Sequence, residues 1–100
     1  MPSCARCGQI LKPDIVLYGE MLPAQVWQEA EWHCQQADVI LVAGSSLTVY
    51  PAAALPEIGL ENDAHMIINN LTPTHLDTSA EVVLRASVAE IIPAIVRQAL

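Results

Sequence analysis

The chain has 100 residues, of which 53% are hydrophobic and only 15% are charged, a balance that requires a packed core and excludes a disordered chain. Its formal net charge is −7 with four Lys and Arg in all, which excludes the basic surface that binds nucleic acids or anionic membranes. There is no run of 18 apolar residues and no signal-peptide profile, so we expect a cytoplasmic protein.

The first feature along the chain is a C-x-x-C pair, Cys4 and Cys7, followed by Gly8. Two thiolates at this spacing can bind one side of a tetrahedral zinc ion, and a structural zinc site needs two more ligands. Such sites commonly use a second pair about 15–20 residues away. We therefore interpret the pair as half of a zinc site, in preference to a redox dithiol or a chance pair. His33 and Cys34 are local alternatives for the missing ligands, although a free Cys in a helix is more typical of a small buried hydrophobic residue.

Apolar periodicity predicts strands that alternate with helices. Residues 14–18 are predicted to form a short strand or an extended segment. The other predicted strands are 39–43, 66–69 and 81–84, and the predicted helices are 24–37, 51–60 and 88–99. The β-branched run 39–43 is typical of a strand that is buried on both faces. Ser87 and Glu90 predict a capping box for the last helix, and Pro93 predicts a kink in it. The alternation indicates an α/β fold with a parallel sheet.

Small polar residues follow two of the predicted strands. Gly44, Ser45 and Ser46 come directly after 39–43, and Asn70 follows 66–69. In open α/β sheets, ligands bind beyond the carboxyl ends of the strands, where a small-residue loop can approach phosphate or sugar. The same residues also suit an ordinary βα turn and a turn-forming Asn, so both interpretations stay open.

The three histidines, His33, His65 and His75, have no obvious carboxylate or nucleophile beside them in the sequence. We therefore interpret all three as structural or solvent-facing. None of them is assigned as a catalytic base.

Three motifs, in this order, resemble the sirtuin family. They are CARCGQILKPDIVLYGEMLP at 4–23, ADVILVAGSSLTVYPAA at 37–53 and INNLTPTHLD at 68–77. In the third motif, Asn70 is taken as the family's Asn. The resemblance covers nearly the whole chain.

The resemblance implies an NAD-dependent protein-lysine deacylase, in which the acyl oxygen attacks the nicotinamide ribose and a base then activates a ribose hydroxyl. Residues 23–100 would form the C-terminal part of a Rossmann-like NAD-binding domain. Residues 1–22 would form half of a small zinc-binding module and a substrate loop.

The resemblance also implies the role of individual residues. The zinc ligands are Cys4 and Cys7. The NAD-binding residues are Gly44, Ser45, Ser46, Asn70, Leu71 and Val88. The residues that bind the acyl-lysine peptide are Val16, Tyr18, Gly19, Glu20, Leu47 and Val49.

Four parts of the family pattern have no counterpart in the sequence: the glycine-rich first NAD loop, the nicotinamide-pocket segment, the His-Gly catalytic motif and the first cysteine pair. We therefore expect a C-terminal portion of a sirtuin that is inactive alone and needs a complementary N-terminal half. The alternatives are a non-enzymatic module, in which two chains share one zinc ion through Cys4 and Cys7, and an inactive truncated product.

Overall fold

The computed structural model describes all 100 residues, Met1–Leu100. Its helices are α1 (Ala24–Gln36), α2 (Ala54–Glu61) and α3 (Val88–Ala99), and its strands are β1 (Val39–Ala43), β2 (His65–Asn69) and β3 (Val82–Leu84). A short 3-10 turn (Asp77–Ser79) precedes β3. The strands form one parallel sheet in the order β1-β2-β3, so the predicted α/β class is confirmed. None of the helices combines the length and the apolar character that a membrane span requires.

One face of the sheet carries the hydrophobic core. The register pairs Ile40 with Met66 and Val42 with Ile68, and Met66 and Ile68 are fully buried. Helix α2 packs against β1, β2 and α1. Gly59 of α2 makes this close approach sterically allowed, because a Cβ atom there would overlap the side chain of Ile40.

The opposite face of the sheet is largely open. Side chains alternate along a strand, so Val39 and Leu41 of β1 lie on this face together with Val82 of β3. These three side chains are 55%, 46% and 44% exposed. Helix α3 meets this face near Leu84, beside an open apolar pocket. The expectation that 39–43 is buried on both faces is therefore wrong, because only the α2 side of β1 is covered.

The segment 14–18 is not a strand, because no neighbouring strand lies beside it to pair with. It ends instead in a turn in which the Glu20 N–H donates to the Leu17 carbonyl at 3.0 Å. Helix α2 begins three residues later than expected, since turns occupy 51–53.

The last helix has the predicted bounds but not the predicted cap. Ser87 is its N-terminal cap residue, yet its side chain makes no capping hydrogen bond, so the capping box is wrong. Instead the backbone carbonyl of Ser87 accepts the N–H groups of Glu90 and Ile91. Pro93 lies inside the helix, which continues to Ala99.

Candidate functional site

The carboxyl ends of the three strands meet at one edge of the sheet. The register pairs Ala43 with Asn69 and Asn69 with Leu84, so the loops that leave the strands start side by side. We call this region the strand-end edge, defined by residues 44–46, 69–71 and 85–88. Parallel sheets bind ligands at this place, because only here do several loops converge.

Asn69 ties the three strand ends together. Its side-chain amide donates to the carbonyls of Leu84 at 3.1 Å and Ala86 at 2.9 Å, and its own carbonyl accepts the Gly44 N–H at 2.9 Å. Asn69 is fully buried, and its Oδ1 atom has no hydrogen-bond partner. Asn69 is not among the site residues predicted from the sequence. The sequence feature that could have identified it is an amide side chain at the end of an apolar strand. Burying such a group is costly unless it has hydrogen-bond partners.

Gly44 and Val88 are in contact at the strand-end edge. Gly44 has φ +66°, a left-handed conformation that favours glycine. A Cβ atom at this position would lie 3.4 Å from Cγ2 of Val88. The structure therefore brings together two of the predicted NAD-binding residues, which are 44 positions apart in the sequence.

The two serines of the loop after β1 have different surroundings. Ser45 Oγ accepts the Leu47 N–H at 3.1 Å and so is used in the turn. Ser46 is exposed, with its hydroxyl 3.0 Å from that of Thr48. Leu47 has φ +57° and is 5% exposed in the core. Its side chain therefore anchors the loop, and Leu47 is not among the residues that line the groove described below.

Asn70 and Leu71, which follow β2, differ in their exposure to solvent. Asn70 is 8% exposed, and its side-chain amide donates to the carbonyl of Thr72 at 3.0 Å and to its hydroxyl at 3.2 Å. These bonds are those of a turn-forming Asn. Leu71 is 66% exposed, so its side chain is available to a ligand.

Arg85 fixes the loop that follows Asn70. Its guanidinium donates to the Asn70 carbonyl at 3.1 Å, to the Thr72 carbonyl, and to Asp77 Oδ2 at 2.6 Å. The Thr74 hydroxyl, and after it Arg85, lower the pKa of Asp77 below its ordinary value. The loop is therefore held to β3 by an ion pair and by backbone contacts.

A groove of about 220 Å³ lies between two segments of the chain. One wall is formed by residues 16–20 with Leu22, and the other by residues 49–52. Of the predicted peptide-binding residues, Val16, Tyr18, Gly19, Glu20 and Val49 line it. Lys12 holds Glu20 through a 3.2 Å ion pair.

The backbone of the first wall has free hydrogen-bonding groups. The N–H and carbonyl groups of Val16, Tyr18 and Gly19 have no partner within the chain. Across the groove, the Val49 N–H is also unpaired. An extended peptide can bind to such groups as an added strand.

Cys4 and Cys7 lie in a tight knuckle. The Gly8 N–H donates to the Cys4 carbonyl at 2.8 Å, and Gly8 has φ +74°. Hydrogen bonds from the backbone N–H groups of Cys7 and Arg6 and from the Cys7 thiol lower the pKa of the Cys4 thiol, an environment that favours the thiolate a metal needs.

The chain brings no third metal-binding side chain to this knuckle. His33 and Cys34 therefore do not complete a site with Cys4 and Cys7. Cys34 lies in α1 toward α2, where burial raises the pKa of its thiol. It is only partly buried, in a setting that suits a small hydrophobic residue.

Two of the histidines have carboxylate partners that are distant in sequence. His65 pairs with Glu81, and His75 Nε2 donates to Glu57 Oε1 at 2.8 Å. All three histidines are exposed, as expected. His33 contacts the ring of Trp32 edge-on, with the centroids 5.0 Å apart.

The Sir2 family model matches residues 1–51 of the chain. The chain is 42% identical over 98 residues to the NAD-dependent protein deacetylase of Haloarcula marismortui, covering 98% of this chain and 38% of the relative. It is 47% identical over 89 residues to the NAD-dependent protein deacetylase of Caldivirga maquilingensis, covering 89% of this chain and 34% of the relative. A solved structure described as Sir2-p53 peptide-NAD+ superposes with a TM-score of 0.88 at 35% identity, covering 98% of this chain and 41% of that one. The chain thus spans between 34% and 41% of the length of these proteins.

We predict that Gly44→Ala destabilises the chain by about 1–2 kcal/mol, because an L-residue is strained in the left-handed conformation. Gly44→Asn is the matched control, since its Cβ meets Val88 in the same way while Asn tolerates this conformation better. Urea denaturation of both variants measures the difference. Equal losses would show that contact with Val88, and not backbone strain, explains the glycine.

Proposed function

The chain belongs to the Sir2 family, and on that premise we propose that it acts as one part of an NAD-dependent protein-lysine deacylase. It would hold the ribose-phosphate part of NAD at the strand-end edge and an acyl-lysine peptide in the groove. One observation carries this proposal: a single loop, 44–53, leaves the strand-end edge at Gly44 and ends in the wall of the groove. The two sites are therefore adjacent along one short segment.

The strand-end edge fits the ribose and phosphates of NAD. Gly44 lets the backbone come close, the Ser46 hydroxyl is exposed, and Asn69 holds an unpartnered Oδ1 atom at the same edge. Leu71 and Val88 would supply apolar contacts to the adenine side. When bound, NAD would supply the ribose carbon that the acyl oxygen attacks, with nicotinamide as the leaving group. The relatives named as NAD-dependent deacetylases support this assignment.

The groove fits an extended peptide. The free backbone groups of Val16, Tyr18 and Gly19 face the Val49 segment across it, so a peptide could bind by main-chain hydrogen bonds with little demand on its sequence. The net charge of −7 favours lysine-bearing partners. A Sir2 structure described as bound to acetylated peptide superposes with a TM-score of 0.88.

We propose that the catalytic base comes from sequence outside these 100 residues. None of the three histidines is among the residues that line the groove or the strand-end edge. A complementary N-terminal sirtuin half, carrying the His-Gly motif and the first NAD loop, would supply it. The open sheet face supports such a partner, because Val39, Leu41 and Val82 leave an apolar surface of the kind that marks an interface.

The knuckle of Cys4 and Cys7 favours a second candidate function. Two thiols can serve as two of the four ligands of a structural zinc site. The other two would come either from the N-terminal half or from a second copy of this chain. In the second case the protein would be a zinc-bridged interaction module without enzymatic activity.

We predict that the isolated chain binds zinc weakly as a monomer, or at one zinc ion per two chains, because it supplies half of the ligands. Metal analysis across a gel-filtration peak measures the ratio. Cys4→Ala should abolish the binding, whereas Cys34→Ala is the matched control and should leave it unchanged. One tightly held zinc ion per monomer would contradict the half-site.

We predict no NAD-dependent deacetylation of lysine peptides by the chain alone, since general base catalysis needs a base within hydrogen-bond reach of the proton it removes. Activity should appear when an N-terminal sirtuin half with the His-Gly motif and the first cysteine pair is added or fused. In that assembly Ser46→Ala should weaken the use of NAD, while Ser79→Ala, on an exposed turn, is the control. Mass spectrometry of the peptide reports the reaction. Robust release of nicotinamide by the 100-residue chain would refute the proposal.

A further inference from the structure

A cluster of three polar side chains lies behind the groove. The Tyr50 hydroxyl donates to Glu57 Oε1 at 2.8 Å, and His75 Nε2 donates to the same oxygen at 2.8 Å. The Tyr50 hydroxyl and His75 Nε2 are 3.5 Å apart. The three residues come from the groove loop, from α2 and from the loop after β2, so one carboxylate joins three separate parts of the chain.

Within this cluster only Tyr50 lines the groove. Tyr50 is 56% exposed, so surrounding packing does little to fix its ring. The hydrogen bond to Glu57 is its one strong restraint, and it also raises the pKa of the Tyr50 hydroxyl. Glu57 therefore reaches the wall of the groove through its hydrogen bond to Tyr50.

On the side away from Tyr50, the cluster is held by His75 in the loop after β2. His75 precedes Leu76, which is 8% exposed in the core, and it belongs to the loop that Arg85 and Asp77 fix. Its hydrogen bond lowers the pKa of Glu57, which favours the charged carboxylate. Glu57 is thus a fixed acceptor, held by a helix and by a braced loop.

We infer that Glu57 is a positioning residue for the peptide groove, which fixes the Tyr50 ring as a wall against the bound peptide without contacting it. The inference rests on the proposed peptide site. A ring that is ordered before binding saves the entropy that ordering would otherwise cost on binding. Peptides should therefore bind more tightly when Tyr50 is anchored than when its hydroxyl or its acceptor is removed.

The test uses amide NMR of the whole chain, titrated with a short peptide that carries a central Nε-acetyl-lysine. The Gly19 amide reports occupancy of the groove from the wall opposite Tyr50. Glu57→Ala should weaken the peptide affinity about three- to tenfold, which corresponds to one side chain that must be ordered on binding. Glu57→Gln retains an acceptor for the Tyr50 hydroxyl and should restore most of the affinity. Glu61→Ala, an exposed change at the end of the same helix, is the control and should have no effect.

A double-mutant cycle distinguishes positioning from a general loss of structure. Tyr50→Phe should weaken binding as much as Glu57→Ala does, and combining the two should cause no further loss. If the Gly19 amide shifts with equal affinity in Glu57→Ala and in the unchanged chain, the inference is overturned while the peptide site stands. Additive losses would also overturn it. If the Gly19 amide does not shift in the unchanged chain, the peptide site itself fails, and the inference fails with it.

Discussion

The hydrogen bonds of one buried amide hold together the edge on which the proposed function depends. Asn69 links β2 to the end of β3 through its side chain and to Gly44 through its carbonyl. Each of these bonds satisfies a polar group close to the core, where a missing partner costs about 1–3 kcal/mol. Asn69 therefore adds to the strand pairing that brings the loops of Gly44 and Val88 close together. The Oδ1 atom is the one buried side-chain nitrogen or oxygen in the chain that has no hydrogen-bond partner.

The same scaffold places the groove. Leu47 inserts into the core between the strand-end edge and Val49, so the loop between them is anchored at its middle. Tyr50 is fixed further along by Glu57. A ligand at either site thus meets a loop that is held at several points, although the sheet beneath it is covered on one face only. This combination of an ordered site and an open apolar face fits a protein that works together with a partner segment.

Much of the fold could be predicted from local patterns. Apolar residues recur at helical spacing in α1 and α3, and β1 and β2 are continuous apolar runs. The segment 14–18 has strand-like composition but no neighbouring strand, and pairing is a tertiary property that composition does not contain. The sequence could not show that Asn69, rather than Asn70, joins the strand ends. Neighbouring residues of a strand lie on opposite faces, so a shift of one residue in the predicted strand exchanges the two. Leu47 combines a positive φ with a side chain in the core, which its place in the predicted peptide-binding motif did not indicate. The histidine–carboxylate pairs join residues 16 and 18 positions apart, so the sequence alone could not reveal them.

We propose that the strand-end edge, organised by Asn69, is the surface that meets NAD. The most direct test is amide NMR of the chain titrated with NAD to tens of millimolar, since half of a cleft should bind no tighter than about 1 mM, or about −4 kcal/mol. We predict shifts confined to residues 44–46, 69–71 and 85–88, and loss of this localised pattern in Asn69→Ala. Shifts centred on the groove or on α1, no shifts at all, or micromolar affinity would contradict it.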